Sequence, residues 1–210
     1  MFYIVTTPWW LKKFYSKLIW EMPKVGKIIY LTFDDGPHPL ITPHVLDVLK
    51  AYNAKATFFC IGKNVVENPS VYKRILEDGH AVGNHTYNHL NGWKTSKSIY
   101  LANILEAQKY IDSDLFRPPY GRISRYEQKA LAGLKEPFKI IMWSILSGDF
   151  DVNISPEQCC KNVIENAKNG SVIVFHDSEK ANERMYYSLP IVLRYFTEKG
   201  YLFEKIDLNK

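Results

Sequence analysis

The sequence predicts an α/β domain, a mainly parallel sheet with helices outside it, either open or closed into a barrel. Three observations lead there. Short β-favouring apolar runs alternate with helix-like segments from Lys27 to Ile206. Helix punctuation falls between them: Thr42-Pro43 and Ser155-Pro156 suit helix starts, and Gly79, Gly170 and Gly200 suit helix ends. Ionisable residues then recur at the carboxyl ends of the expected strands, where such folds gather their polar side chains.

Taken in order, Met1 to Pro23 interleaves Trp9, Trp10, Phe14, Tyr15 and Trp20 with Lys12, Lys13 and Lys17. Thr7 suits an N-cap and Pro8 a first helical position. Trp10, Phe14, Lys17 and Leu18 then share a helical face. The expectation is a helical extension, residues 1–23, packed on a domain spanning 24–210; the alternative is a helix lying on a membrane surface. The basic residues interrupt the aromatics instead of preceding an apolar block, so no secretory signal is read here; localisation is left open, with cytoplasmic as the expectation for the chain as written.

Expected strands are Lys27 to Phe33, Ala56 to Ile61, Ala81 to Asn84, Asp114 to Arg117, Lys139 to Ser144, Ser171 to His176 and Tyr201 to Ile206. Expected helices are Pro43 to Ala51, Pro69 to Asp78, Ser96 to Asp112, Ser124 to Leu134, Pro156 to Lys168 and Ser188 to Lys199. No linker, fixed-period repeat or low-complexity tract divides them, so a single domain is expected.

The composition fits a folded chain: 46% of the 210 residues are hydrophobic and 23% charged, which argues against disorder. No apolar run approaches the roughly 20 residues of a membrane helix. The net charge of +5 is dispersed and reads as solubility, not as a nucleic-acid footprint. Cys60, Cys159 and Cys160 are odd in number and lack metal-ligand spacing, so neither a disulfide framework nor a metal site is read from them. Oligomeric state is left open.

The chemistry starts at Ile28 to Pro37, where a buried strand runs into Asp34-Asp35 and a Gly-Pro breaker. Paired acids at a core strand's end are either an exposed turn or a site compensated by a cation and a basic side chain. The other strand ends supply both. His85 and His89 are four apart, so on a helical turn both would face one metal, with an upstream carboxylate completing a set that leaves open positions. Zinc is the default, with cobalt or another divalent metal as substitutes. Arg117, if it points inward, offers Asp34 a bidentate charged partner. Pro118-Pro119 removes two backbone donors and leaves the Tyr120 N–H for an oxyanion. His176 ends an apolar strand and suits proton transfer, with Asp149 to orient it.

Together, T-F-D-D-G-P, H-T-x-x-H and R-P-P-Y-G resemble the polysaccharide deacetylase family, the family 4 carbohydrate esterases, over about Lys27 to Ile206. The resemblance implies a distorted (β/α) barrel and a metal-dependent hydrolase removing N-acetyl groups from peptidoglycan-like or chitin-like glycans. It implies Asp34 as base, Asp35, His85 and His89 as metal ligands, Arg117 as positioner of the base, His176 as acid and Asp149 as its partner. It further implies Trp143 as a groove wall and Val174 as lining for the acetyl methyl. Trp143 and Tyr120 also offer flat faces to sugar rings. Asp149-Phe150 stands where the family often has Asp-Trp, and the family usually works outside the cytoplasm. O-deacetylation of acetylxylan-type glycans and a non-catalytic glycan-binding module are the alternatives. A two-carboxylate glycosidase leaves both histidines unexplained.

Overall fold

The computed structural model describes residues 3–23 and 25–208. Residues 1 and 2, and residue 24 at the expected domain boundary, lie outside the described residues. Among the described residues there are eight strands: β1 (Ile28–Asp34), β2 (Ala56–Cys60), β3 (Ala81–Asn84), β4 (Leu115–Phe116), β5 (Lys139–Ile140), β6 (Ile145–Leu146), β7 (Val172–His176) and β8 (Leu202–Phe203). They lie in the order β5-β4-β3-β2-β1-β7-β6, and every strand pairing is parallel. β8 joins β1 at Ile28 and Ile29, below the residues that pair with β2. The sheet curls into the distorted (β/α) barrel that the sequence implied.

Strand parity decides which side chains meet at the centre. Ile29, Leu31 and Phe33 of β1 and Ile173 and Phe175 of β7 point outward into the main core beneath the helices. Tyr30 and Val172 point inward, beside Phe59, Leu115 and Ile141. Four residues up each strand, the same parity turns Asp34 and His176 inward, and the register pairs them directly. Asn84 pairs with both Cys60 and Phe116, so His85 and Arg117 leave their strands side by side.

The helices are α1 (Trp9–Phe14), α2 (Ile41–Ala51), α3 (Gly62–Glu67), α4 (Pro69–Glu77), α5 (Lys97–Gln108), α6 (Arg125–Ala132), α7 (Pro156–Ile164) and α8 (Asn182–Glu198). Ser155 caps α7 by accepting from the Gln158 amide, as the Ser-Pro signal predicts. Ser124 and Glu127 form a reciprocal capping box that starts α6. Thr42 does not start α2: it lies inside the helix, where its hydroxyl accepts from the His38 amide and bonds Asp177. The start of α8 comes six residues earlier than expected, because the helix tolerates Pro190 in its interior.

The N-terminal segment departs from the expected helix. α1 stops at Phe14, the Thr7 hydroxyl donates to the Trp143 carbonyl instead of capping, and Trp9, Trp10 and Phe14 are exposed. The buried apolar residues of this segment come after the helix: Leu18, Trp20 and Met22. Here the chain bridges the sheet, Ile19 beside Ile141 and Glu21 against Ser171, while Thr6 bridges Ile145. Ile141 follows β5, Ile145 lies in β6 and Ser171 precedes β7, so this segment touches both ends of the strand order. All three cysteines are free and buried. Among the described residues no helix is long and apolar enough to cross a membrane.

Candidate active site

Asp34 ends β1 and is 4% exposed. Its Oδ1 accepts a hydrogen bond from Arg117 Nη1 at 2.6 Å. Arg117 is fully buried, which is costly for a guanidinium, and the surroundings answer with acceptors. Its Nη1 also donates to the Thr32 hydroxyl, Nε to the Ile141 carbonyl and Nη2 to the Met142 carbonyl. The Phe59 ring lies 4.0 Å beneath it. The expected bidentate pairing is not what forms: one nitrogen serves Asp34, and the rest of the fork is spent on the barrel's own backbone.

Asp35, His85 and His89 converge, their ligand atoms all within 4.8 Å of one another. Asp35 Oδ1 lies 3.2 Å from His89 Nε2 and 3.7 Å from His85 Nε2. It is buried and has no well-directed hydrogen bond. His85 Nδ1 sits 2.7 Å from the Arg117 carbonyl, so with the proton there Nε2 turns its lone pair to Asp35 and His89. Burial pushes the His85 imidazole down to about 4, against the pull of Asp34, which keeps it neutral and able to ligate. Burial opposes the Asp35 charge, yet the His89 bond and the neighbouring imidazoles hold its carboxyl below the usual range. A buried, unsatisfied carboxylate oxygen beside two imidazole nitrogens fits a divalent metal.

The two histidines do not share a helical turn. Their loop instead takes left-handed backbone at Thr86 (φ 63°) and His89 (φ 55°), which brings the rings together, centroids 5.1 Å apart. Five described non-glycine residues have positive φ, and four of them are Asp35, Thr86, His89 and Tyr120. Strain of this kind persists where the surroundings over-determine it, and here it marks the loops that meet at the site.

His176 Nδ1 lies 2.8 Å from Asp149 Oδ1, and the His176 amide donates to the other oxygen of the same carboxylate. Burial opposes a charge on His176, but the Asp149 pair, helped by Asp35 and Asp34, lifts it to about 10. The ring is therefore protonated near neutrality and able to donate. Phe150 meets its edge at 5.3 Å.

Tyr120 lies in a 3-10 turn, Pro119–Gly121, after a trans Pro118-Pro119 bond. Its amide has no acceptor among the described residues, and its exposed ring tilts over His89 at 4.7 Å. Trp143 crowds this turn so closely that a Cβ on Gly121 would sit 2.7 Å from its ring. Val174 is 1% exposed and faces inward two residues below His176.

Three supporting residues had no role in the sequence reading. Asp177 accepts from the Gly36 amide at 3.0 Å and bonds the Thr42 hydroxyl, fixing the turn after Asp35. A Cβ on Gly36 would collide with that carboxylate. Burial raises Asp177 to about 7. Asn64 donates to the Asp35 carbonyl, and Arg184 to the Asp149 carbonyl. The position of Asp177 beside His176 was the available signal; Asn64 and Arg184 lie on helices and gave none.

A protein-family comparison matches residues 21–136 to polysaccharide deacetylase. A peptidoglycan-N-acetylglucosamine deacetylase of Bacillus cereus is 37% identical over 194 residues, 90% of each chain. A chitooligosaccharide deacetylase of Azorhizobium caulinodans is 36% identical over 156 residues, 71% of this chain and 73% of that one. Among solved structures, a peptidoglycan N-acetylglucosamine deacetylase in complex with 4-naphthalen-1-yl-N-oxidanyl-benzamide superposes with a TM-score of 0.84, at 32% identity, covering 95% of both chains. Barrel, site and relatives define a carbohydrate deacetylase, a hydrolase. The chain belongs to the polysaccharide deacetylase family, the family 4 carbohydrate esterases.

Proposed function

We propose that this protein removes N-acetyl groups from amino-sugar polymers or oligomers of the peptidoglycan or chitin type, with zinc as its metal. The observation that carries the reading is the meeting, at adjacent strand ends, of three unlike parts. These are the Asp35, His85 and His89 cluster, the Arg117-held Asp34, and the Asp149-held His176.

Asp35, His85 and His89 would hold the ion, which when bound acidifies water and polarises the acetyl carbonyl. Asp34 then takes the proton of the attacking water. Arg117 fixes its carboxylate and supplies the opposite charge. The free Tyr120 amide donates to the oxygen that gains charge as the carbonyl becomes tetrahedral. His176 protonates the sugar nitrogen as the C–N bond breaks, giving acetate and a free amine, and Asp149 steadies the imidazolium beforehand. Trp143 and Tyr120 offer ring faces to the sugar, while Val174 provides an apolar floor for the acetyl methyl. Residues 1–23 are read as an extension of a catalytic domain spanning 24–210, supported by the burial of Leu18, Trp20 and Met22.

An acetate-release panel tests the substrate assignment: N-acetylglucosamine oligomers, peptidoglycan and acetylxylan, each with added zinc or cobalt and with Asp34→Asn as the blank. Release from both amide substrates is expected. Release from acetylxylan alone would replace the amidase with an O-acetyl esterase. Wild-type release no higher than the blank throughout would favour a glycan-binding module.

A further inference from the structure

Two residues beyond Tyr120 begins a run of exposed cations, each lying over an exposed aromatic ring. Arg122 stacks on Trp93 at 4.1 Å, Lys97 lies over Tyr126 at 4.7 Å, and Arg125 lies over Phe14 at 5.0 Å. All six side chains are exposed. None of the three cations has a carboxylate partner within 4.0 Å among the described residues. The strip crosses four separate parts of the chain: Trp93 in the loop after His89, Lys97 at the start of α5, Arg122 to Tyr126 leading into α6, and Phe14 in α1. It gives a place to the aromatic residue Phe14, which packs into no core cluster.

A stacked guanidinium or ammonium keeps its charge while its apolar face is covered, leaving N–H groups free for an anion. The neighbouring rings present flat surfaces of the kind that sugars stack upon. With Cα atoms 3.8 Å apart along a chain, Arg122 lies at most about 7.6 Å from Tyr120, so the strip continues the surface that begins at the metal cluster. A bilayer is the poorer fit: every ring carries a cation on its face, and α1, with Trp9 and Trp10, is only six residues long.

We propose that this strip is a binding track for an anionic glycan, an N-acetylated strand bearing carboxylates such as those on the stem peptides of peptidoglycan, and that it biases the deacetylase toward that strand over neutral chitin-like chains. The proposal rests on the deacetylase reading and adds the substrate class.

The test compares kcat/KM for zinc-loaded full-length protein on two soluble substrates of equal length. One is a carboxylate-bearing peptidoglycan fragment and the other a neutral N-acetylglucosamine oligomer. In K97Q/R122Q/R125Q the ratio of the two constants is expected to fall roughly tenfold at low ionic strength. Added salt should draw the wild-type ratio toward that of the variant. A ratio unmoved by the triple substitution would overturn the proposal. If neither substrate releases acetate, the deacetylase reading fails, and co-sedimentation reads the strip separately. Asp34→Asn protein should pellet with insoluble peptidoglycan more than with chitin, and lose that excess when the three cations are replaced. Equal pelleting with both polymers, or retention by anionic lipid vesicles without retention by peptidoglycan, would contradict it.

Discussion

Arg117 Nη1 bonds Asp34 Oδ1 at 2.6 Å, joining residues 83 apart in sequence through the inside of the barrel. The same guanidinium reaches Thr32 and the carbonyls of Ile141 and Met142. Arg117 thus couples the proposed base to β1 and to the chain that follows β5. Removing one partner of a buried charge pair costs about 3–5 kcal/mol, because the other is left uncompensated. Arg117→Met should lower stability by about that amount in denaturant melts and abolish turnover. Arg117→Lys should lose less stability while still losing most turnover, since an ammonium cannot reach all four acceptors.

The metal cluster gives a sharper contrast. His85→Ala removes a proposed metal ligand whose ring is anchored to the Arg117 carbonyl, and metal analysis after dialysis against added zinc should find no stoichiometric ion. Asp34→Asn should bind zinc as wild type does, because Asp34 lies outside the Asp35, His85 and His89 cluster. Full zinc in His85→Ala would contradict the ligand assignment.

The Asp149–His176 pair predicts a pH dependence with a definite sign. His176 titrates near 10 in the folded protein against an ordinary 6.5, so its favourable pairing is complete below about 6.5 and disappears as pH rises through about 10. Asp149→Asn removes the partner and leaves burial to push the imidazole down. The alkaline limb of kcat/KM should therefore move to lower pH, by at least about one unit. A profile that does not move would separate His176 from the acid role. His176→Ala should likewise slow amide substrates far more than activated esters, whose leaving groups need less protonation.

At the N-terminus the structure divides aromatics that look alike in sequence. Trp20 is 7% exposed and its indole N–H donates to the Tyr15 carbonyl, whereas Trp9 is 74% exposed. Thermal and denaturant melts should show Trp20→Ala losing about 3–5 kcal/mol and Trp9→Ala within about 0.5 kcal/mol of wild type. Equal effects would contradict the packing described for this segment.

Much of the site was legible because strand ends are legible. An apolar run fixes a strand, its parity fixes which side chains face inward, and the breaker that follows places Asp34, His85, Arg117 and His176 at one level. What escaped was geometry set by tertiary contacts. The H-x-x-x-H spacing suggested a helical turn, but left-handed backbone at Thr86 and His89 does that work instead. β5 is only Lys139–Ile140, the two-residue β6 lies just past the strand expected at Lys139 to Ser144, and α3 opens on a glycine that gives no helix signal. The N-terminal aromatics have helical spacing, yet sequence alone does not say that pairing at Ile19 and Glu21 ends the helix early.

The most direct test is acetate release from a chitooligosaccharide by wild type and Asp34→Asn, with zinc content measured in the same samples. Equal zinc in both proteins, turnover in wild type and a loss of at least about a hundredfold in Asp34→Asn are predicted. Equal zinc with equal turnover in the two would contradict Asp34 as the base on which this account depends.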